Sequence, residues 1–437
     1  GFASAYIAWK VLGNNSRYIP QAYYDKLPDI KDSKILVCDF SFNEKETLKL
    51  IKENESYFNI DHHKSAFENL EDIEDKYKYC FLDIETLKSP KELIPDTIPI
   101  YFLTILTLLY VNISGTSALG AQRWLSFAGF YIQPSEFAKT TLILVLASIL
   151  DRKRFSDLSH LIKPFLVSFL PWILVFLQPD LGTSLVFGAI LLGMLYWSGM
   201  PYEWAFIILA TFVTGLLAYL YQFGLFIWIP IIGFLSYRSL PHNKQLLTLL
   251  AVFFHSLIAK ISPWIWESFL RDYQKDRLIL FLNPSQDPLG GGYHLLQSKI
   301  GIGSGGLLGS GLMQGQLTKL KFIPEQHTDF IFSALGEETG FLGTLLVSFL
   351  FFILILRLIK IAIEARTDFE SLIVIGITSM FIFQIMVNIF MTIGLGPVTG
   401  IPLPFMSYGR TALFVNFISL GFCLSVSRRG QSIRRNL

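Results

Sequence analysis

From Ile98 onward, apolar stretches of 14 to 23 residues alternate with short polar segments. A helix needs about 20 apolar residues to cross a bilayer, and somewhat fewer where its ends rest in polar pockets. The pattern predicts spans near 98–113, 131–150, 161–177, 183–199, 204–222, 224–237, 246–262, 342–363, 372–394 and 411–426. The sixth is short and carries Pro230, which interrupts helical hydrogen bonding. Upstream the pattern changes. Lys34–Phe40 reads as a buried strand, 43–55 as a helix and Tyr57–Ile60 as a second strand. The expected fold class is mainly α: a polytopic membrane helical bundle of about ten spans, residues 97–437, preceded by a partial α/β cytoplasmic domain, residues 1–96.

Composition sharpens this division. Of 437 residues, 52% are hydrophobic and 16% charged, against about 25% charged in an average soluble domain. Residues 1–96 hold 13 basic and 18 acidic side chains; residues 97–437 hold 23 and 16. A single soluble globule, a secreted disulfide scaffold and a nucleic-acid binder all fit poorly. Cys38, Cys80 and Cys423 lie far apart and form no CxxC spacing. The chain opens at Gly1 with neither Met nor signal sequence, which reads as a fragment or fusion lacking its true start.

Basic residues set the expected orientation. Arg152, Lys153, Arg154 and Lys163 share one connection, and Arg238 and Lys244 another; Arg357, Lys360 and Arg366 follow the eighth span, and Arg428, Arg429, Arg434 and Arg435 crowd the end. With alternating spans all four clusters fall on one side, which the positive-inside rule makes the cytoplasm. Both termini are then cytoplasmic. The large loop 263–341 and the connections carrying Arg123, Asp180 and 397–410 lie outside.

The outer segments are rich in ionisable groups: Arg123, Glu136, Lys139, Asp180, Arg277, Asp287, Glu325, His327, Asp329, Glu337, Glu338 and Arg410. Each such group near hydrocarbon costs on the order of 2–3 kcal/mol and so needs a reason. Glu136 and Lys139 stand i, i+3 on one helix face, forming either a local ion pair or a cluster that meets an anion. Asp180 either caps the following helix or serves a site. The glycines of 290–292 and 301–315 either connect flexibly or cradle a phosphate through backbone amides. Pro324–Phe330 places Glu325, His327 and Asp329 within five residues. A carboxylate beside apolar surface gains proton affinity, which suits general-base work; the alternative is that Asp329 caps a helix starting at Phe330.

Seven motifs carry a resemblance. These are Gly120–Leu125 (GAQRWL), Gln133–Lys139 (QPSEFAK), Gln178–Ser184 (QPDLGTS), Asp287–His294 (DPLGGGYH), Gln297–Gly306 (QSKIGIGSGG), Pro324–Phe332 (PEQHTDFIF) and Gly400–Gly409 (GIPLPFMSYG). In that order, residues 98–437 resemble the SEDS family of membrane proteins, and most closely its RodA branch, with FtsW and SpoVE as relatives. The resemblance implies a peptidoglycan glycosyltransferase that polymerises lipid II into glycan strands on the outer face of the cytoplasmic (inner) membrane, during elongation and shape maintenance. It implies Asp329 as the catalytic base, and Arg123, Trp124, Glu136, Lys139, Asp180, Glu325, His327 and Ser407 in substrate binding. Lys139 and Arg123 would meet the diphosphate, helped by a divalent cation, Mg or Mn. A class B penicillin-binding protein transpeptidase is the expected partner, alongside membrane lipids. A lipid II flippase that makes no bond, and a non-catalytic scaffold, are the alternatives. Three departures stand out: two spans expected before Ile98 are absent, an additional pair sits near 224–262, and Arg410 replaces the second glycine of Ser-Tyr-Gly-Gly.

Residues 1–92 carry a second resemblance. Gly1–Ala5, Val37–Ser41 and Asp61-His62-His63 resemble a truncated DHH-family phosphoesterase, with Asp39, His62 and Asp83 at metal positions. The family's first acidic motif and its second domain are missing, so an intact manganese site is not expected. The switch near Leu93–Asp96 reads as a gene fusion or as an artefact of joining two unrelated reading frames, the artefact being favoured.

Overall fold

In this computed structural model the described residues are 34–38, 49, 56–60 and 90–434, the last with breaks at 119–120, 128–129, 152–158, 179, 240–243, 269–271, 283–286 and 288–291. The chain divides into two compact units, 1–93 and 94–437. In the first, β1 (Lys34–Cys38) pairs parallel with β2 (Ser56–Ile60), Lys34 opposite Ser56 and Cys38 opposite Ile60. Both strands are where the β-branched and aromatic runs place them, and residues 39–55 are long enough for the crossover that a parallel pair requires. The expected helix 43–55 lies outside the described residues except for Lys49, which is helical. Asp39, His62 and Asp83 also lie outside them.

The second unit is a helical bundle. Its helices are α1 (Pro90–Ser114), α2 (Pro134–Leu150), α3 (Ser159–Leu177), α4 (Leu181–Trp197), α5 (Tyr202–Leu220), α6 (Leu225–Ser239), α7 (Lys244–Ser268), α8 (Asp272–Leu282), α9 (Tyr293–Ser304), α10 (Gln316–Lys319), α11 (Ile331–Ile363), α12 (Asp368–Ile393) and α13 (Arg410–Arg434). Every expected span falls on one of them. Six are long and apolar enough to cross a membrane among the described residues: α3, α5, α7, α11, α12 and α13. Thr97–Ile113 of α1 and Leu181–Trp197 of α4 are shorter apolar helices. The protein is thus a mainly helical multi-pass membrane protein, and six of the ten expected spans coincide with helices of full crossing length among the described residues. α6 remains helical through Pro230, but its 15 residues rise only about 22 Å.

The span expected from 131 begins later. Pro134 occupies the first helical turn of α2, where its fixed φ and missing N–H cost nothing. Ahead of it, β3 (Thr116–Ala118), β4 (Ala121–Phe127) and β5 (Phe130–Ile132) form an antiparallel meander. Arg123 and Trp124 therefore sit on a strand rather than in a bare connection.

α12 forms the centre. Its apolar stretch is 67% buried, against 6% for α7, and it packs on α2, α4 and α11. Its N-cap Thr367 accepts from the Glu370 N–H at 3.2 Å, and Gly394 ends it in the left-handed conformation. On the periphery, α5, α6 and α7 pack on one another. There the Thr214 hydroxyl accepts from the Trp228 indole at 3.0 Å and lies 2.7 Å from His255 Nδ1.

Helix ends converge at two poles. At one, Arg429 of α13 pairs with Glu370 at 3.2 Å; Ser371 Oγ donates to the Ala362 carbonyl of α11 at 2.7 Å and accepts from Trp197 Nε1 of α4 at 2.8 Å. The starts of α4, α11 and α13 and the end of α12 meet at the other, as alternating spans require.

Candidate active site

The second pole gathers the polar motifs. Asp180 is the N-cap of α4, accepting from Thr183 N–H at 3.1 Å and Thr183 Oγ1 at 3.0 Å. The cap leaves Oδ2 engaged further: Gln133 Nε2 donates to it at 3.4 Å, and Arg123 Nη1 lies 3.9 Å away. Arg123 Nε also donates to the Gln178 carbonyl at 3.3 Å. The capping reading holds, and the cap is also a joint between the β4 strand and the starts of α2 and α4. Trp124 lies on that strand opposite Thr116.

Asp329 does not cap α11. The N-cap is Phe330, which makes no side-chain cap bond. The Asp329 backbone is pinned instead. Asn388 Nδ2 of α12 donates to its carbonyl at 2.9 Å and to the Ile401 carbonyl at 2.8 Å. Neighbouring backbone is tied to the 400–409 segment: Ser407 Oγ donates to the Thr328 carbonyl at 2.6 Å and accepts from the Leu403 N–H at 2.7 Å, while the Tyr408 N–H donates to the His327 carbonyl at 2.7 Å. Ser407 is thus a hinge pin between two motifs. Glu325 and His327 are exposed, and the Thr328 hydroxyl donates to Glu325 Oε2 at 3.0 Å.

The Asp329 carboxyl faces the loop after α12. Gly400 has φ +75°, and a Cβ there would stand 3.3 Å from Asp329 Oδ2 and 3.8 Å from Arg277 Nη1. Arg277, on α8, donates to the Thr399 carbonyl at 3.3 Å. Burial raises the Asp329 pKa to about 6; Arg277 and Arg123 pull it down, while Glu325 and Asp180 push it up. Two cations and three carboxylates therefore share one electrostatic site. His294 of α9 stacks on Phe330 at 6.1 Å between ring centroids. Burial, reinforced by Arg277, lowers its pKa against the opposing pull of Glu325.

Other expected positions are occupied differently. Lys139 Nζ contacts both Glu136 carboxylate oxygens at 2.8 Å, and the two side chains are 1% and 4% exposed. The ion-pair reading fits, and Lys139 is closed to solvent. The glycines of 301–315 pack backbone on backbone against α11: Ser310 and Gly311 N–H donate to the Glu337 and Glu338 carbonyls at 3.0 Å each. They accommodate the break at Gly340, where φ is +66° and a Cβ would lie 2.4 Å from Gly309 N. Glu337 is buried and accepts from Leu317 and Thr318 N–H at 2.8 and 2.9 Å. Among the described residues no three His, Cys, Asp or Glu side chains converge closely enough to hold a metal ion. The described residues by themselves form no cage for the expected cation.

Arg277, His294 and Asn388 join the site without having been singled out for it. Arg277 sits five residues into a helix of mixed polarity, and Asn388 is one amide inside an apolar run. A buried amide in a membrane helix is the signal that marks Asn388.

A family model described as "Cell cycle protein", covering FtsW, RodA and SpoVE, matches residues 89–240 and 242–432. Peptidoglycan glycosyltransferase MrdB of Escherichia coli (strain K12) is 34% identical over 339 residues, 77% of this chain and 79% of that protein. Peptidoglycan glycosyltransferase RodA of Treponema pallidum (strain Nichols) is 34% identical over 357 residues, 74% of this chain and 81% of that protein. A solved chain from work on the "structural coordination of polymerization and crosslinking by a peptidoglycan synthase complex" superposes with a TM-score of 0.58 at 26% identity, covering 79% of this chain and 84% of its own. With most of its length matched in this way, the chain belongs to the FtsW/RodA/SpoVE family.

Proposed function

We propose that this protein is a membrane-embedded peptidoglycan glycosyltransferase that polymerises lipid II into glycan strands, with Asp329 as its general base. The observation that carries the residue assignment is the Asp329 carboxyl, fixed through its backbone by Asn388 and raised to about 6 beside Arg277 and Arg123. A base near pH 6 is largely ionised at pH 7 and still has useful proton affinity. It takes the proton of the acceptor sugar hydroxyl as that oxygen bonds to the donor's anomeric carbon. The bond from that carbon to the diphosphate breaks, and the polyprenyl diphosphate leaves with the electron pair. Arg277 and Arg123 face the charge that develops on the leaving group. Lys139, shut in by Glu136, serves to hold α2 in shape rather than to bind the diphosphate.

The two poles support an orientation. Arg429 lies at the pole opposite Asp329, which under the positive-inside rule supports a cytoplasmic placement of that pole and an outward-facing site. A class B penicillin-binding protein is the fitting partner, since the superposed chain comes from a complex that polymerises and crosslinks. The RodA-like motifs favour a role in elongation.

Purified chain in nanodiscs with lipid II tests the reading. Glycan chains should form in wild type and not in Asp329→Asn. Movement of lipid II across the bilayer without any chains would contradict it.

A further inference from the structure

The segment between α9 and the start of α11 is apolar where a water-facing loop should not be. Leu307, Leu308, Leu312 and Met313 are each between 70% and 80% exposed, and Leu320 and Phe322 are exposed beside them. Exposed apolar groups clustered in this way mark a surface that something else covers.

Much of the backbone of the same segment is hydrogen-bonded within the protein. Gly309 N–H donates to the Gly305 carbonyl at 2.8 Å, Ser310 and Gly311 donate to Glu337 and Glu338, and Gln314 donates to Gly311 at 3.0 Å. Lys319, Leu320 and Phe322 N–H find partners at Gly315, Gln316 and Leu317. Internal satisfaction of backbone polar groups is what contact with hydrocarbon demands.

The patch also continues a lipid-facing surface. Phe341 and Leu342 N–H donate to the Gly306 and Leu307 carbonyls at 2.9 and 3.1 Å. Those two residues open the apolar run of α11, whose Leu345, Leu346 and Phe349 are likewise exposed on a helix long enough to cross the membrane. Lys319 and Lys321 are exposed next to the apolar tips, where ammonium groups can meet anionic headgroups. The tip itself is a fixed shape: Met313 and Lys321 hold φ of +57° and +55°.

We infer that residues 305–322 form an interfacial anchor that seats Leu307, Leu308, Leu312 and Met313 in the lipid surface at the entry of α11, with Lys319 and Lys321 on anionic headgroups. A lipid surface is favoured over a protein partner by this continuity with the lipid-facing side of α11. The anchor would hold the 324–330 segment, two residues beyond Phe322, at a fixed height above the bilayer.

The test uses the full chain in nanodiscs of zwitterionic lipid with about one-third anionic lipid. Cys38, Cys80 and Cys423 are replaced by Ala, and an environment-sensitive fluorophore is placed at Leu308→Cys or Leu312→Cys. Leu346→Cys serves as the lipid reference and Asp276→Cys as the polar comparator. Both loop labels should emit blue-shifted, like the Leu346 label. A headgroup-proximal spin-labelled lipid should quench them about threefold more than the Asp276 label. Water-like emission without quenching would overturn the anchor, as would a blue shift that appears only when a partner protein is added. As a label-free arm, a photoactivatable phospholipid should crosslink the unsubstituted chain at 305–322; crosslinks on α11 with none on that segment would overturn it too. Neither result bears on glycosyl transfer, which Asp329→Asn tests separately.

Discussion

At the first turn of α2, Glu136 meets Lys139 through both carboxylate oxygens at 2.8 Å, sealed inside the bundle. At the approach to α11, Asp329 instead sits among Arg277, Arg123, Glu325 and Asp180, whose charges act on it in opposing directions while burial raises its pKa to about 6. Both acids stand against apolar helices, yet only one is matched by a counter-charge of its own. A matched buried pair holds structure, because breaking it strands a charge. A carboxylate desolvated and only partly compensated keeps its proton affinity adjustable near neutrality, and such groups cluster at catalytic sites. Chemistry in this protein is therefore expected where helix ends converge, not wherever charge enters the membrane.

Asp329→Asn should break the comparison most sharply. It keeps the shape but removes the base, and polymerisation of lipid II should fall by about 10²–10⁴-fold with the melting temperature little changed. Lys139→Met acts on the other region. It should cost about 3–5 kcal/mol of stability, read as a lower melting temperature in detergent, and Glu136→Gln/Lys139→Met should recover most of it. A double variant that is stable yet inactive would move Lys139 from structure to chemistry. Gly340→Ala tests the packing beneath the anchor loop. A Cβ there meets Gly309 N at 2.4 Å in a left-handed conformation, so a loss of more than about 1 kcal/mol is expected. The smallest effects are electrostatic. Arg277→Gln should move the acid limb of activity to higher pH and Glu325→Gln to lower pH, each by about one unit or less, because the first removes a cation and the second an anion.

The sequence made the helices legible because apolar runs have one physical solution in lipid, and even α6 with its proline was placed correctly. The β3–β5 meander was missed. Its cues are Gly120 and Gly129 flanking a short run with Trp124, and they are weaker than the apolar run that swallowed β5 into α2. Asp329 stood out through its neighbours Glu325 and His327. Arg277 and Asn388 did not, because their value comes from what they reach across the fold, the Thr399 carbonyl and the Asp329 backbone. The glycines of 301–315 were read as a connection or a phosphate cradle, whereas they let two backbones touch. Long-range contact of this kind leaves no local pattern.

The pH dependence of lipid II polymerisation in nanodiscs tests the base most directly. An ionised carboxylate is the active form, so the rate should rise with pH through a midpoint near 6 and level off above it. In Asp329→Asn the residual rate should lose that limb. A wild-type rate that is flat from pH 5 to 8, or a limb that survives the substitution unchanged, would contradict the assignment of Asp329.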